Sequence, residues 1–206
     1  MKNKIVFVDI DTQFDFMNSQ GSLYVPDAEK IIDNLGRLFN YAKEHEIKIL
    51  SSIDAHEIDD PEFQTFPSHC VKGTPGNRKI DATTCKDNAV IENIKQDITE
   101  TVLNCQQIIV EKQSFDIFGN INTDKVVRKL DARNYVVFGV ATDYCVKACA
   151  LGLLKRGFNV SLVTDTIKAV TKEGEKGALS EMRDAGVVFI STQEVIERGT
   201  IIKKME

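Results

Sequence analysis

Apolar runs rich in β-branched residues alternate along this 206-residue chain with stretches of helical spacing, and that alternation restricts the fold more than any other feature. Residues 4–10, 48–53, 107–110, 135–140, 159–164 and 187–190 read as six strands. Helical patterns fill 28–45, with Ile31, Ile32, Leu35, Leu38, Phe39 and Ala42 as its apolar positions, and then 123–130, 147–156, 173–185 and 192–198. Near-continuous apolar strands are buried on both faces, and repeated β-α-β order with right-handed crossovers gives a parallel sheet between two helix layers. The expected fold is therefore α/β: a three-layer α/β/α sandwich on a six-stranded, mostly parallel sheet of Rossmann-like order. The length suits a single domain, residues 1–206. Residues 54–79, rich in Pro, Gly, Asp and His, are irregular, and the polar stretch 80–105 is expected to be partly helical near 89–103.

A net charge of −5 argues against a nucleic-acid or anionic-membrane footprint, which would need a basic face. No apolar run approaches the roughly 20 residues that span a bilayer. The apolar stretch at residues 5–8 is too short for a signal peptide, so a cytoplasmic protein is expected. Five cysteines, at 70, 85, 105, 145 and 149, include no C-x-x-C pair, which argues against a zinc ribbon or a thioredoxin-type site.

In an open parallel sheet, ligands bind beyond the carboxyl ends of the strands. Asp11, Asp54, His56, Lys112 and Cys145 all follow strands onto that rim. Cys145 sits where the strand at 135–140 turns into a helix, a position whose free N–H groups and dipole lower a thiol pKa and stabilise an oxyanion. The backbone N–H groups of Ala141 and Cys145 are the expected oxyanion donors; a cis peptide at Val140–Ala141 would help to aim one of them into the cleft, but the sequence does not show whether that bond is cis. Asp11, Lys112 and Cys145 then make a base, a cation and a nucleophile. The same residues also fit plainer roles: a loop cap, a surface charge and a small buried hydrophobe. Asp54, His56, His69 and Glu62 offer two imidazoles and two carboxylates, a set that suits Zn²⁺, Mn²⁺ or Fe²⁺; ordinary loop hydrogen bonding is the competing reading. His45, at a helix end, is read as solvated, and Cys70 and Cys149 as structural. Phe14, Phe16, Phe66, Phe115 and Phe118 lie in loops, where they either join the core or sandwich a flat ring; Phe16, Phe66 and Phe118 are the expected pocket residues.

At these residues the chain resembles the nicotinamidase branch of the isochorismatase-like cysteine hydrolases. The resemblance is carried by Asp11-Thr12-Gln13-Phe14-Asp15-Phe16 (D-x-Q-x-D-F), Gly21-Ser22-Leu23-Tyr24-Val25-Pro26, Asp54-Ala55-His56, the run from Phe66 to Gly76, Lys112, and Gly139-Val140-Ala141-Thr142-Asp143-Tyr144-Cys145. It covers most of the chain. It implies a triad of Asp11, Lys112 and Cys145, a thioester intermediate with release of ammonia, and a place in pyridine nucleotide biosynthesis. It also implies one divalent ion, zinc foremost, on Asp54, His56 and His69. A fourth ligand is often histidine in this family, and Glu62 stands in the matching segment. A small aromatic amide as substrate and a homo-oligomeric state follow from the same resemblance. Three departures stand out: Phe66 replaces the usual tryptophan, the frequent Y-S-A-F after the lysine becomes Phe115-Asp116-Ile117-Phe118, and the 80–105 stretch is long. A related amidase for another carboxamide or ureide is the alternative, and a scaffold that merely kept the fold is the non-enzymatic one. A vinyl-ether hydrolase would not need the nucleophilic cysteine.

Overall fold

Every residue of the first strand, β1 (Ile5–Ile10), is buried, and the two-residue side-chain period divides it between two separate cores. Val6, Val8 and Ile10 enter one, Ile5 and Phe7 the other. The computed structural model describes residues 4–198; the ends of the single-domain reading, 1–3 and 199–206, lie outside the described residues.

The remaining strands are β2 (Lys48–Asp54), β3 (Asn88–Ile91), β4 (Gln107–Lys112), β5 (Asn134–Val140), β6 (Asn159–Lys168) and β7 (Val188–Ile190). They form one sheet in the order β3-β4-β2-β1-β5-β6-β7, with every neighbouring pair parallel. The sheet therefore has seven strands where the sequence pattern suggested six. The extra one, β3, lies in the stretch expected to be partly helical. It is a four-residue edge strand with only Ile91 fully buried, too short and too polar to carry a β signal. The α-helix in that stretch is α3 (Glu100–Asn104), and a 3₁₀ turn lies at Asp81–Thr83.

The other helices are α1 (Phe14–Met17), α2 (Ile32–Glu44), α4 (Thr123–Leu130), α5 (Lys147–Lys155), α6 (Lys172–Ala185) and α7 (Thr192–Arg198). Leu35, Leu38, Phe39 and Ala42 of α2, with Val195 of α7, cover one sheet face against Phe7, Ile49 and Phe138. Val126 and Leu130 of α4, Ala150 and Leu153 of α5, and Ala178 and Met182 of α6 cover the other. At the end of α2, His45 places Nδ1 3.0 Å from the Tyr41 carbonyl and stacks on the Tyr41 ring, in keeping with an exposed helix end.

The chain leaves β1 for β2 on one side and returns beside β1 with β5, so the strand order reverses between β1 and β5. Such a switch point opens a crevice at the carboxyl ends of the strands. Close approach there needs Gly139 (φ +114°), whose neighbour across the sheet is Ile10: a Cβ would stand 2.1 Å from the Ile10 carbonyl oxygen.

Candidate active site

Four strand ends deliver side chains to this crevice. Asp54 and Lys112, the last residues of β2 and β4, are register partners, so their side chains emerge side by side. Asp11 follows β1 in a left-handed conformation (φ +49°), which carries its carboxylate toward the same point. Cys145 comes from β5 by way of Thr142–Val146, a wide turn closed by a bond from Val146 N–H to the Ala141 carbonyl, 3.1 Å. The Val140–Ala141 peptide is cis.

Lys112 is the hub. Its Nζ, fully buried, lies 2.8 Å from Asp11 Oδ2 and 3.5 Å from Cys145 Sγ, and it also bonds Asp54 Oδ1. Burial disfavours its ammonium, but the carboxylates of Asp11 and Asp54 outweigh that and hold it charged. Asp11 accepts a hydrogen bond from Ser52 Oγ at 2.6 Å, while no donor is aligned on its buried Oδ2. Burial raises the Asp11 carboxyl above its ordinary range, with Lys112 opposing and Asp54 adding to the shift. The thiol of Cys145 is also pushed up, by burial first and by Asp11 and Asp54 in support, although Lys112 pulls the other way. Position at a strand-to-helix turn suggested a lowered thiol pKa; desolvation among carboxylates reverses the sign. Burial thus favours the neutral forms of the Cys145 thiol and of the Asp11 carboxyl beside it.

Next to this group, Asp54 turns its second oxygen to the histidines. Oδ2 is 4.0 Å from His56 Nε2 and 3.8 Å from His69 Nε2, and His56 Nε2 is 3.9 Å from Glu62 Oε2. Each imidazole is oriented through its other nitrogen: His56 Nδ1 by Asp60 at 2.9 Å, His69 Nδ1 by the Pro67 carbonyl at 2.8 Å. Carboxylate and carbonyl partners of this kind fix ligating imidazoles in metal sites. His56 Nε2 is buried without a hydrogen-bond partner, a costly state that a bound cation would relieve. Asp54, His56 and His69 therefore fit a divalent metal ion, with Glu62 beside His56 as the next nearest carboxylate; Asp60, which orients His56, gave no signal in the sequence beyond its acidity.

Gln13 and Asp15 organise the surrounding loops. The Gln13 amide accepts from Asp54 N–H at 2.7 Å and donates to the Asp54 carbonyl at 2.8 Å. Asp15 accepts N–H groups of Ser22 and Cys70, at 3.0 and 2.7 Å, joining the loops on either side of the crevice. On β1, buried Asp9 pairs with Lys79 at 2.5 Å and with Thr12 and Ser51 at 2.8 Å each, locking residues 79–83 under the turn that carries Asp11. A charge inside a strand gave no hint of this pair.

The crevice, about 530 Å³ including its mouth, is lined by Asp11, Asp54, Glu62, His69 and Cys145 on its floor and by Phe16, Phe66, Leu23, Val25, Phe115, Tyr144 and Val170 around the ring-sized space above. Val140 and Ala141 complete it, and neither lysine nor arginine is among the lining side chains. Phe16 and Phe66 line the crevice. Phe118 does not: it lies under the Arg156 guanidinium, 3.4 Å from carbon to ring centre, against the α5 layer. Phe118 sits in the turn opened by Asp116, which accepts the Phe118 N–H at 3.0 Å, and its ring packs away from the crevice. Phe115 takes the wall position, edge-on to Phe66 and tilted against Tyr144. Ile117 is buried in the core, and neither it nor Asp116 reaches the crevice. Tyr144 is adjacent to the nucleophile in sequence and was findable on that ground; Val170 had no local signal.

The sequence profile of the isochorismatase domain matches residues 5–194. The chain belongs to the isochorismatase family. Among its relatives, the nicotinamidase of Escherichia coli is 26% identical over 205 residues, covering 87% of this chain and 91% of that protein. The nicotinamidase of Saccharomyces cerevisiae is 24% identical over 209 residues, covering 85% and 91%. Among solved structures, the pyrazinamidase of Pyrococcus horikoshii in complex with zinc superposes with a TM-score of 0.76 at 29% identity, covering 91% of this chain and 99% of that one. This isochorismatase-family hydrolase thus shares its seven-stranded α/β architecture with amidases of the family. No helix among the described residues is long and apolar enough to cross a membrane.

Proposed function

We propose that the protein is a metal-containing cysteine amidohydrolase that converts nicotinamide to nicotinic acid and ammonia through a thioester on Cys145. The observation that carries this reading is the single buried ammonium of Lys112 shared by Asp11, Asp54 and the Cys145 sulfur.

With the amide carbonyl over Cys145, Asp11 takes the thiol proton as Sγ attacks the carbonyl carbon. Lys112 stays charged throughout and offsets the negative charge passing between carboxylate and sulfur. The N–H groups of Ala141 and Cys145 receive the oxyanion. Collapse breaks the C–N bond, and Asp11 returns the proton to the nitrogen as ammonia leaves. Asp11 then deprotonates a water that attacks the thioester; the carboxylate product departs and the sulfur regains a proton. A divalent ion, zinc by this proposal, held by Asp54, His56, His69 and Glu62, would supply a Lewis acid for the ring nitrogen and so fix the amide beside the sulfur.

The lining of the crevice favours a neutral aromatic amide over a carboxylate-bearing one. A flat ring meets Phe16, Phe66, Phe115 and Tyr144, whereas an added carboxylate would face an apolar wall without lysine or arginine. In an ammonia-release panel, nicotinamide and pyrazinamide are expected to exceed aliphatic amides and N-carbamoyl amino acids by at least about 100-fold in kcat/KM. Faster turnover of a ureide would move the protein to the alternative, an amidase of another substrate. For the metal, Zn²⁺ at roughly 100 times its Kd is expected to add about 2.7 kcal/mol to the stability of chelator-treated protein. His56→Ala should abolish that gain; an equal gain in the variant would remove this site from the proposal.

A further inference from the structure

Asp143 lies two residues before the nucleophile, outside the reacting group, and its carboxylate reaches across to another element. Oδ1 accepts the Val170 N–H at 3.0 Å and Oδ2 the Thr171 N–H at 3.2 Å. These two amides belong to the link between β6 and α6. Thr171 in turn caps α6, its hydroxyl accepting the Gly174 N–H at 2.9 Å. Gly174 makes the seat possible, because a Cβ there would stand 2.3 Å from Asp143 Oδ2. The carboxylate thus rests on the first turn of a 14-residue helix, where the dipole favours negative charge.

Both residues that this clamp brings together face the crevice. Tyr144 directly follows Asp143, and Val170 is the residue whose amide Oδ1 holds; each forms part of the wall. Both are also rim residues, 37% and 42% exposed, so packing alone restrains them weakly. Backbone attachment is what remains to hold Val170 opposite the nucleophile turn.

We propose that Asp143 is a positioning residue that sets the width of the crevice mouth by holding Val170 against the turn that carries Tyr144 and Cys145. The inference rests on the reading of the crevice as an aromatic-amide site, and it assigns substrate fit to a residue that does not touch substrate. Asp143→Asn keeps the shape but replaces one acceptor oxygen with an NH₂ group that repels an N–H. It is expected to raise KM for nicotinamide by up to about tenfold, the scale of one hydrogen bond, with kcat within about twofold. Alkylation of Cys145 by iodoacetamide, followed by mass spectrometry, is expected to quicken as the mouth loosens. Gly174→Ala, distant from the crevice, should reproduce both effects by displacing the carboxylate, although alanine is the better helix former. Val170→Ala should raise KM by itself, and adding Asp143→Asn to it should change KM by less than about twofold, the sign of a shared path.

A merely structural Asp143 would lower Tm in the asparagine variant and leave KM and alkylation unmoved; that result, or full additivity with Val170→Ala, overturns the clamp. Should the parent protein release no ammonia from any aromatic amide, the proposed activity fails instead, and the alkylation series still decides whether Asp143 controls access to Cys145.

Discussion

Cys145→Ala is expected to abolish ammonia release from nicotinamide, a loss of about 10⁴–10⁶ in kcat, while the protein stays folded. The substitution removes the atom that forms the thioester and leaves Asp11 and Lys112 paired as before, at 2.8 Å. Burial favours the neutral form of the thiol it replaces, so the substitution is expected to strand no charge. The void left by one sulfur in the packed layer is small, so stability should fall by only about 1 kcal/mol. Steady-state ammonia release and a thermal melt on the same preparation separate the two effects. Normal turnover in the alanine variant would rule out covalent catalysis by this residue, and unfolding would show that Cys145 is chiefly a core residue.

Lys112→Met should cost both activity and stability. Methionine fills the space of the lysine stem but leaves the buried carboxylates of Asp11 and Asp54 facing each other without their common counter-ion. Removing one partner from a buried charge group costs about 3–5 kcal/mol. In a chain of 206 residues that corresponds to a fall in Tm on the order of 10 °C. Adding Asp11→Asn to Lys112→Met removes one of the stranded charges, so the double variant is expected to regain stability and no activity. A single variant as stable as the parent would mean that the lysine charge is not what holds these carboxylates together. Recovery of both properties in the double variant would place the base elsewhere.

How much of this centre was legible beforehand differs from residue to residue. The strands leading to Asp11, Asp54, Lys112 and Cys145 were readable because a buried parallel strand is a nearly unbroken apolar run, and a polar residue at or just beyond its end is conspicuous. The aromatic wall was less legible. Phe115 and Phe118 both lie in the loop after β4, and only the folded turn at Asp116 shows that Phe115 lines the crevice while Phe118 packs under Arg156. Edge strand β3 was hidden for the opposite reason, since one exposed face and four residues leave almost no pattern to detect.

By itself the sequence determined the class of fold, the placing of a thiol, a carboxylate and a lysine on one rim, and the supply of imidazoles and carboxylates for an ion, because those follow from short-range patterning and from residue chemistry. Only the tertiary structure decided the direction in which burial shifts the Cys145 thiol, the sharing of Asp54 between Lys112 and the histidines, the pairing of Asp9 with Lys79, and the reach of Asp143 to Val170. Each of these depends on burial and on distances between groups far apart in the chain. Desolvation and Coulomb energies change steeply with both, and neither is written in the order of residues.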